Sequence, residues 1–141
     1  MATRDLVRGD DYTITRPLFK FQLLDSLLQP LDIRGCKLQV TWKPVLTSIE
    51  ADPNDTSAII KHELQINLAG TVTLSNGLVL DTTALTGVVY ERLTKTESAN
   101  MPLNTELVGD LQLTNSAGEV LTWIFTDKIR GIDGVTHRNP T

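Results

Sequence analysis

Residues 52–63 read DPNDTSAIIKHE. Asp52, Asn54 and Thr56 stand at the first, third and fifth places of a window that closes at its twelfth residue on Glu63. That is the oxygen spacing of an EF-hand calcium loop. The rest of the window argues against calcium. The sixth place, where the sharp turn needs glycine, is Ser57, and the ninth is Ile60, which offers no side-chain oxygen. The upstream VTWKPVLTS is strand-like and broken by proline, where an EF-hand has a helix. The stretch therefore reads as a polar turn in which Asp52, Asn54 and Asp55 bond nearby amides. No metal is expected.

Other residue types that carry chemistry are sparse. His62 and His137 are the two histidines. His62 lies between Lys61 and Glu63 in a strand-like run and is expected on a solvated face, while His137 sits in a polar tail. Triad hydrolysis needs a base oriented by an acid and a nucleophile on a strained turn, and no GxSxG occurs. Neither GxxxxGK nor GxGxxG is present, so phosphate-cradling loops are not indicated. Cys36 is the one cysteine, which excludes an internal disulfide and a cysteine-rich zinc site. It follows Gly35 and reads as a small residue opening a strand. Arg8-Gly9-Asp10 matches the integrin tripeptide but reads as a turn leading into Tyr12. Asn54-Asp55-Thr56 fits a glycosylation sequon, which has meaning only on a secretory route. The expectation is a protein with no enzyme activity, no catalytic residues and no cofactor.

The composition agrees. The chain has 141 residues, 40% hydrophobic and 21% charged, enough for one domain with a real core. Aromatics are only 5%, so Leu, Ile and Val must build that core. The net charge of -4 argues against a sequence-independent grip on nucleic acid and against an anionic membrane surface. No apolar run has the length of a membrane span, and MATRDLVRGDD does not resemble a signal peptide, which predicts synthesis in a cytoplasm.

The dominant period is two. Leu38, Val40 and Trp42 alternate with polar neighbours, and so do Leu64, Ile66 and Leu68. Tyr12 and Ile14 share one parity and Phe19, Phe21 and Leu23 the other, with the change at Pro17-Leu18. That change predicts a bulge or a strand changing sheets. Val88, Tyr90 and Arg92 are expected along one face, and Leu107, Leu111 and Leu113 along another. Asn76-Gly77 signals a two-residue hairpin. Residues 57–61 and 97–101 suit single helical turns. Many short strands with turn signals between them predict an all-β sandwich, with an extra hairpin near 70–86. One domain covers 1–141.

The order of these features resembles small tail- and baseplate-associated modules of bacteriophages, including the immunoglobulin-like N-terminal domain of baseplate upper proteins. The resemblance is carried by Arg8-Gly9-Asp10-Asp11-Tyr12, by the turn from Leu24 to Gly35, by Trp42, and by the acidic turn from Asp52 to Lys61. It continues in the hairpin from Asp110 to Thr122 and in Asp133-Gly134-Val135-Thr136. Val108-Gly109 departs from the pattern where the group often has an aromatic pair. The resemblance implies an immunoglobulin-like β-sandwich serving as a non-enzymatic structural protein of a virion, made in the host bacterial cytoplasm. It would sit in the tail, the baseplate or the head-tail region. Its partners would be other virion proteins and further copies of itself, through the arm 1–11, the hairpin at 75–80 and the tail 132–141. A capsid-decorating protein, or a carbohydrate- or receptor-binding module, is the alternative.

Overall fold

The computed structural model describes residues 2–44 and 58–134. The described elements are β1 Thr3–Val7, β2 Phe19–Gln22, β3 Lys37–Pro44, β4 Ile60–Ile66, β5 Val72–Asn76, β6 Leu78–Leu80, β7 Val88–Glu91, α1 Lys95–Ala99, β8 Glu106–Thr114, β9 Val120–Ile124 and β10 Lys128–Ile132. The protein is all-β, with a single short helix among the described residues.

Two sheets form. The larger has seven strands, ordered β1-β10-β8-β3-β4-β5, with β9 also pairing β8. It curls into a half-barrel. The smaller has three strands, ordered β2-β7-β6. Pairing is antiparallel except that β1 runs parallel to β10.

Period-two patterning explains the larger sheet. On β3, Leu38, Val40 and Trp42 are buried, and on β8 so are Leu107, Leu111 and Leu113. Register places Leu38 beside Leu113, Val40 beside Leu111 and Trp42 beside Gly109. A Cβ on Gly109 would lie 2.5 Å from Trp42 Cε3, so the indole needs that glycine. Phe19 stacks on the same indole and Phe125 packs tilted against it, at centroid distances of 5.5 and 5.0 Å. One contiguous cluster of aliphatic side chains fills the rest of the core, and burying such side chains is the main force holding the sheets together.

Several expectations are corrected. Asn76-Gly77 does not close a hairpin. β5 pairs with β4 in one sheet and β6 with β7 in the other, so the chain changes sheets here. The positive φ of Gly77, 79°, serves the crossover. Ile14 is exposed, in a loop between Tyr12 and Leu18, which both bond the β7 side of the smaller sheet. Leu68, expected to continue the face of Leu64 and Ile66, lies beyond the end of β4 in a turn and is exposed. Val88, Tyr90 and Arg92 do share one side of β7, with Val88 buried, while Val89, Glu91 and Leu93 form the opposite, fully buried parity. Ile60 and Lys61 belong to β4, not to a helical turn, and the turn expected at 97–101 is α1, at Lys95–Ala99. The parity change near Pro17 marks neither a bulge nor a change of sheet: Tyr12 and Leu18 both bond the β7 side of the smaller sheet, with an exposed loop between them, and the chain has already left the larger sheet after Val7.

Gly77 leaves the least room for a side chain of the glycines compared, since a Cβ there would fall 2.0 Å from His62 Cδ2. Gly118 has a similar φ of 84° but nothing within 4 Å of a Cβ. Gly77→Ala should therefore cost about 3 kcal/mol or more, and Gly118→Ala only about 1 kcal/mol, in urea unfolding.

Candidate functional site

His62 is the centre of a buried polar cluster. It sits on β4 with the same parity as Leu64 and Ile66, so the pleat that buries those residues also turns the imidazole inward. It is 2% exposed. Nδ1–H donates to Glu91 Oε2 at 2.8 Å and Nε2–H donates to Glu97 Oε2 at 2.8 Å. Trp42 Nε1–H donates to the same Glu91 Oε2 at 3.0 Å. Glu91 is 0% exposed, and its Oε1 has no hydrogen-bond partner among the described residues. The cluster thus ties β3 and β4 of one sheet to β7 of the other and to α1.

Glu97 reaches the ring because α1 is fixed at its start. Thr94 is the N-cap of a capping box: its hydroxyl accepts from Glu97 N–H, and its own N–H donates to Glu97 Oε1. Glu97 therefore uses one oxygen on the cap and the other on His62. The first turn of the chain clamps the same helix. Lys95 N–H donates to Asp11 Oδ1 at 2.8 Å, Gly9 N–H to Ser98 Oγ at 2.9 Å, and Ser98 Oγ donates to Asp10 O at 2.7 Å. Arg8 Nη2 donates to Ala99 O at 3.1 Å. Arg8-Gly9-Asp10 is thus a turn bound to α1.

The electrostatics follow from burial and pairing. Burial alone would lower the His62 pKa, but the hydrogen bonds and charges of Glu91 and Glu97 outweigh it and raise it to about 9. Burial pushes the Glu91 carboxyl up, against the opposing pull of His62 and Trp42. Burial would also raise Glu97, but the His62 hydrogen bond and the Thr94 amide hold it below the ordinary value. Both partners of the His62–Glu91 contact thus favour keeping the proton between them.

A histidine held by a carboxylate is the geometry of a general base. Here both ring nitrogens are engaged by carboxylates and the side chain has no exposed surface. The arrangement works as a charged clasp. The adjacent groove, about 310 Å³, is lined by Gln39, Thr41, Lys61, Glu63 and Asn76 among others, on the outer side of the sheet. Val40 and His62 border it too, but the His62 side chain has no exposed surface there.

The expected solvated face for His62 is therefore corrected: the residue is inside. Of the calcium window, Asp52, Asn54, Asp55 and Thr56 lie outside the described residues, as does His137. Glu63 is on the outer face and pairs with Lys37 Nζ at 2.9 Å. No group of three or more His, Cys, Asp or Glu side chains among the described residues could hold a metal ion. Cys36 is buried just before β3, and burial followed by the nearby Asp32 charge raises its thiol pKa. Such a thiol is unreactive. Among the described residues no helix is long and apolar enough to cross a membrane.

Glu91 and Glu97 were not singled out from sequence. The parity of Val89 and Leu93 points Glu91 inward, and Thr94-Lys95-Thr96-Glu97 is a legible capping box. Comparison of the chain with protein-family models, with curated proteins and with solved structures finds no match.

The pH dependence has a definite sign. A group whose folded pKa is raised favours folding while protonated. His62 therefore contributes fully below its ordinary 6.5, and the contribution is lost as pH rises through about 9. The upward shift of Glu91 acts with the same sign. Unfolding free energy should fall by a few kcal/mol between pH 6.5 and 9, in urea titrations at fixed salt. His62→Gln should flatten that slope while lowering stability at pH 6.5.

Proposed function

We infer that this chain is a non-enzymatic structural module of a bacteriophage virion, built as an immunoglobulin-like sandwich and working through protein contacts. Strand order supports the sandwich. Variable-type immunoglobulin domains add two strands to the G-F-C sheet, opposite a sheet containing B, E and D. Taking β10, β8 and β3 as G, F and C, then β4 and β5 as the two additional strands, gives that order. β2, β7 and β6 then stand as B, E and D. Trp42, buried on β3, occupies the strand of the tryptophan found in such domains. Cys36 has no disulfide partner, and the larger sheet curls more than a flat sandwich layer.

The observation that carries a contact function is the set of exposed leucines at one end of the molecule. Loops 23–36, 67–71, 81–87 and 115–118 meet there. Gly35 N–H donates to Asn67 O, Ile33 N–H to Ala84 O, and Leu23 N–H to Gly87 O. A Cβ on Gly35 would touch Leu68 and Ser116. On this end Leu27 is 78% and Leu28 75% exposed, and Leu68 and Leu85 are exposed as well. The tip is built rigidly. Asp25 Oδ1 accepts from Leu27 N–H and Gln29 N–H, both at 2.9 Å, and Leu28 holds a φ of 61°. Exposed apolar side chains gathered on loops that meet at one end support a surface for a partner. The aromatic platform that a sugar site needs is not offered by Trp42, whose ring lies wholly in the core.

The test is the chain's place in an intact particle. Labelled antibody should decorate purified virions at a fixed structural position. The variant Leu27→Ser/Leu28→Asn should keep its stability within about 0.5 kcal/mol, because both side chains are exposed. Its incorporation should fall roughly tenfold through loss of apolar anchors. Absence of the chain from every particle would defeat the reading. Normal incorporation of the variant would remove this end as the docking surface.

A further inference from the structure

We propose that β9 is a self-pairing edge, through which two copies of this chain join antiparallel about a two-fold axis at Thr122. This deepens the assembly reading above by naming one surface and one partner, and it rests on that reading only for its biological setting.

The first observation is that β9 lacks the guards that sheet edges ordinarily carry. Soluble proteins blunt free edges with charge, proline, bulges or short strands. β1 carries Arg4 and Asp5, β2 carries Lys20, and β6 is three residues long. β5 pairs with β4 through a register shift at Gln65/Ile66. β9 reads VLTWI, with no charge and no proline. It pairs with β8 without interruption from Asp110↔Ile124 to Thr114↔Val120. Ile124 is 79% exposed, and Val120 and Leu121 are also exposed.

The second observation concerns which backbone groups are free. Phe125 N–H donates to Gly109 O, and Asn115 N–H donates to Glu119 O. Residues 119 and 125 therefore turn their backbone toward the β8 side. By alternation Leu121 and Trp123 do the same. Val120, Thr122 and Ile124 then direct their N–H and C=O groups away from the sheet, toward any incoming strand.

The third observation is self-complementarity. Folded about Thr122, the strand sets Thr122 against Thr122 of the second copy, Val120 against Ile124, and Leu121 against Trp123. The Thr–Thr and Val–Ile rungs fall on the outward-bonding residues, so each is a hydrogen-bonded pair that exchanges two bonds. All three pairings are favourable cross-strand types, and none brings like charges together. The same patch meets itself, as a two-fold contact requires. The resulting sheet would run continuously through both copies.

Crosslinking and sedimentation test the arrangement on the full chain. Opposed Cα atoms in a hydrogen-bonded antiparallel pair lie about 5.5 Å apart, within disulfide reach. Thr122→Cys should form a disulfide dimer under mild oxidation, since the native Cys36 is buried. Val120→Cys alone should not, because it faces Ile124 of the second copy. A mixture of Val120→Cys and Ile124→Cys should crosslink. Ser75→Cys, on the bulged β5 edge, should stay monomeric. The wild-type chain should sediment with a dimer Kd in the range of roughly 10–100 µM, as suits a small contact. Thr122→Lys sets like charges together at the axis and should raise that Kd at least about tenfold, with the circular dichroism unchanged.

A wild-type chain that is monomeric at about 500 µM would overturn the proposal, being far above that range. So would crosslinking of Ser75→Cys in preference to Thr122→Cys, or a Kd unmoved by Thr122→Lys. None of these results bears on whether the chain is present in particles, which the particle experiment decides separately.

Discussion

The interaction on which this structure depends is the buried contact of His62 with Glu91 and Glu97. Two sheets held only by aliphatic side chains can slide, because apolar packing is non-directional. A charged hydrogen bond cannot slide. His62 on β4 must meet Glu91 on β7, and Trp42 must meet the same carboxylate oxygen from β3. Desolvating these groups is expensive, so the cluster adds little net stability compared with an apolar core. Its contribution is to fix which rungs of the two sheets face each other. Trp42 carries both functions, since its indole N–H bonds Glu91 while its ring packs against Phe19 and Phe125.

Other features follow from accommodating that clasp. Gly77 must lack a side chain because its backbone lies against the imidazole. The crossover from β5 to β6 therefore occurs at a glycine, and the chain leaves the larger sheet at that point. α1 is too short to be stable alone, and it is held by Glu97 at His62 and by the Gly9–Asp11 turn. The polar interior is thus spent on the frame. What faces outward is a rigid loop end rich in leucine and one unguarded strand edge, and both suit contact with other proteins.

Much of this was legible in the sequence, and the failures have physical causes. Alternation located β3, β8 and most of β4, because a half-buried strand must alternate. The same rule, applied without regard to residue type, would have put His62 inside beside Leu64 and Ile66. It was set on the solvated face because histidine between Lys61 and Glu63 looks polar, and the partners that make its burial tolerable are distant in the chain. Asn76-Gly77 misled for a related reason. Asn-Gly encodes positive φ, and positive φ serves a hairpin or a crossover equally well. Which one forms depends on β4 and β7 competing for the flanking strands, and that is tertiary information. Leu28 at positive φ, and the gathering of four loops at one end, have no local signal at all.

The clasp can be tested directly by following the His62 ring nitrogens in an ¹⁵N NMR titration of the intact protein. The account predicts that both nitrogens are protonated at pH 7 to 8, with a midpoint near 9 and an acidic proton protected from exchange. A neutral imidazole at pH 7, titrating at or below its ordinary 6.5, would contradict it.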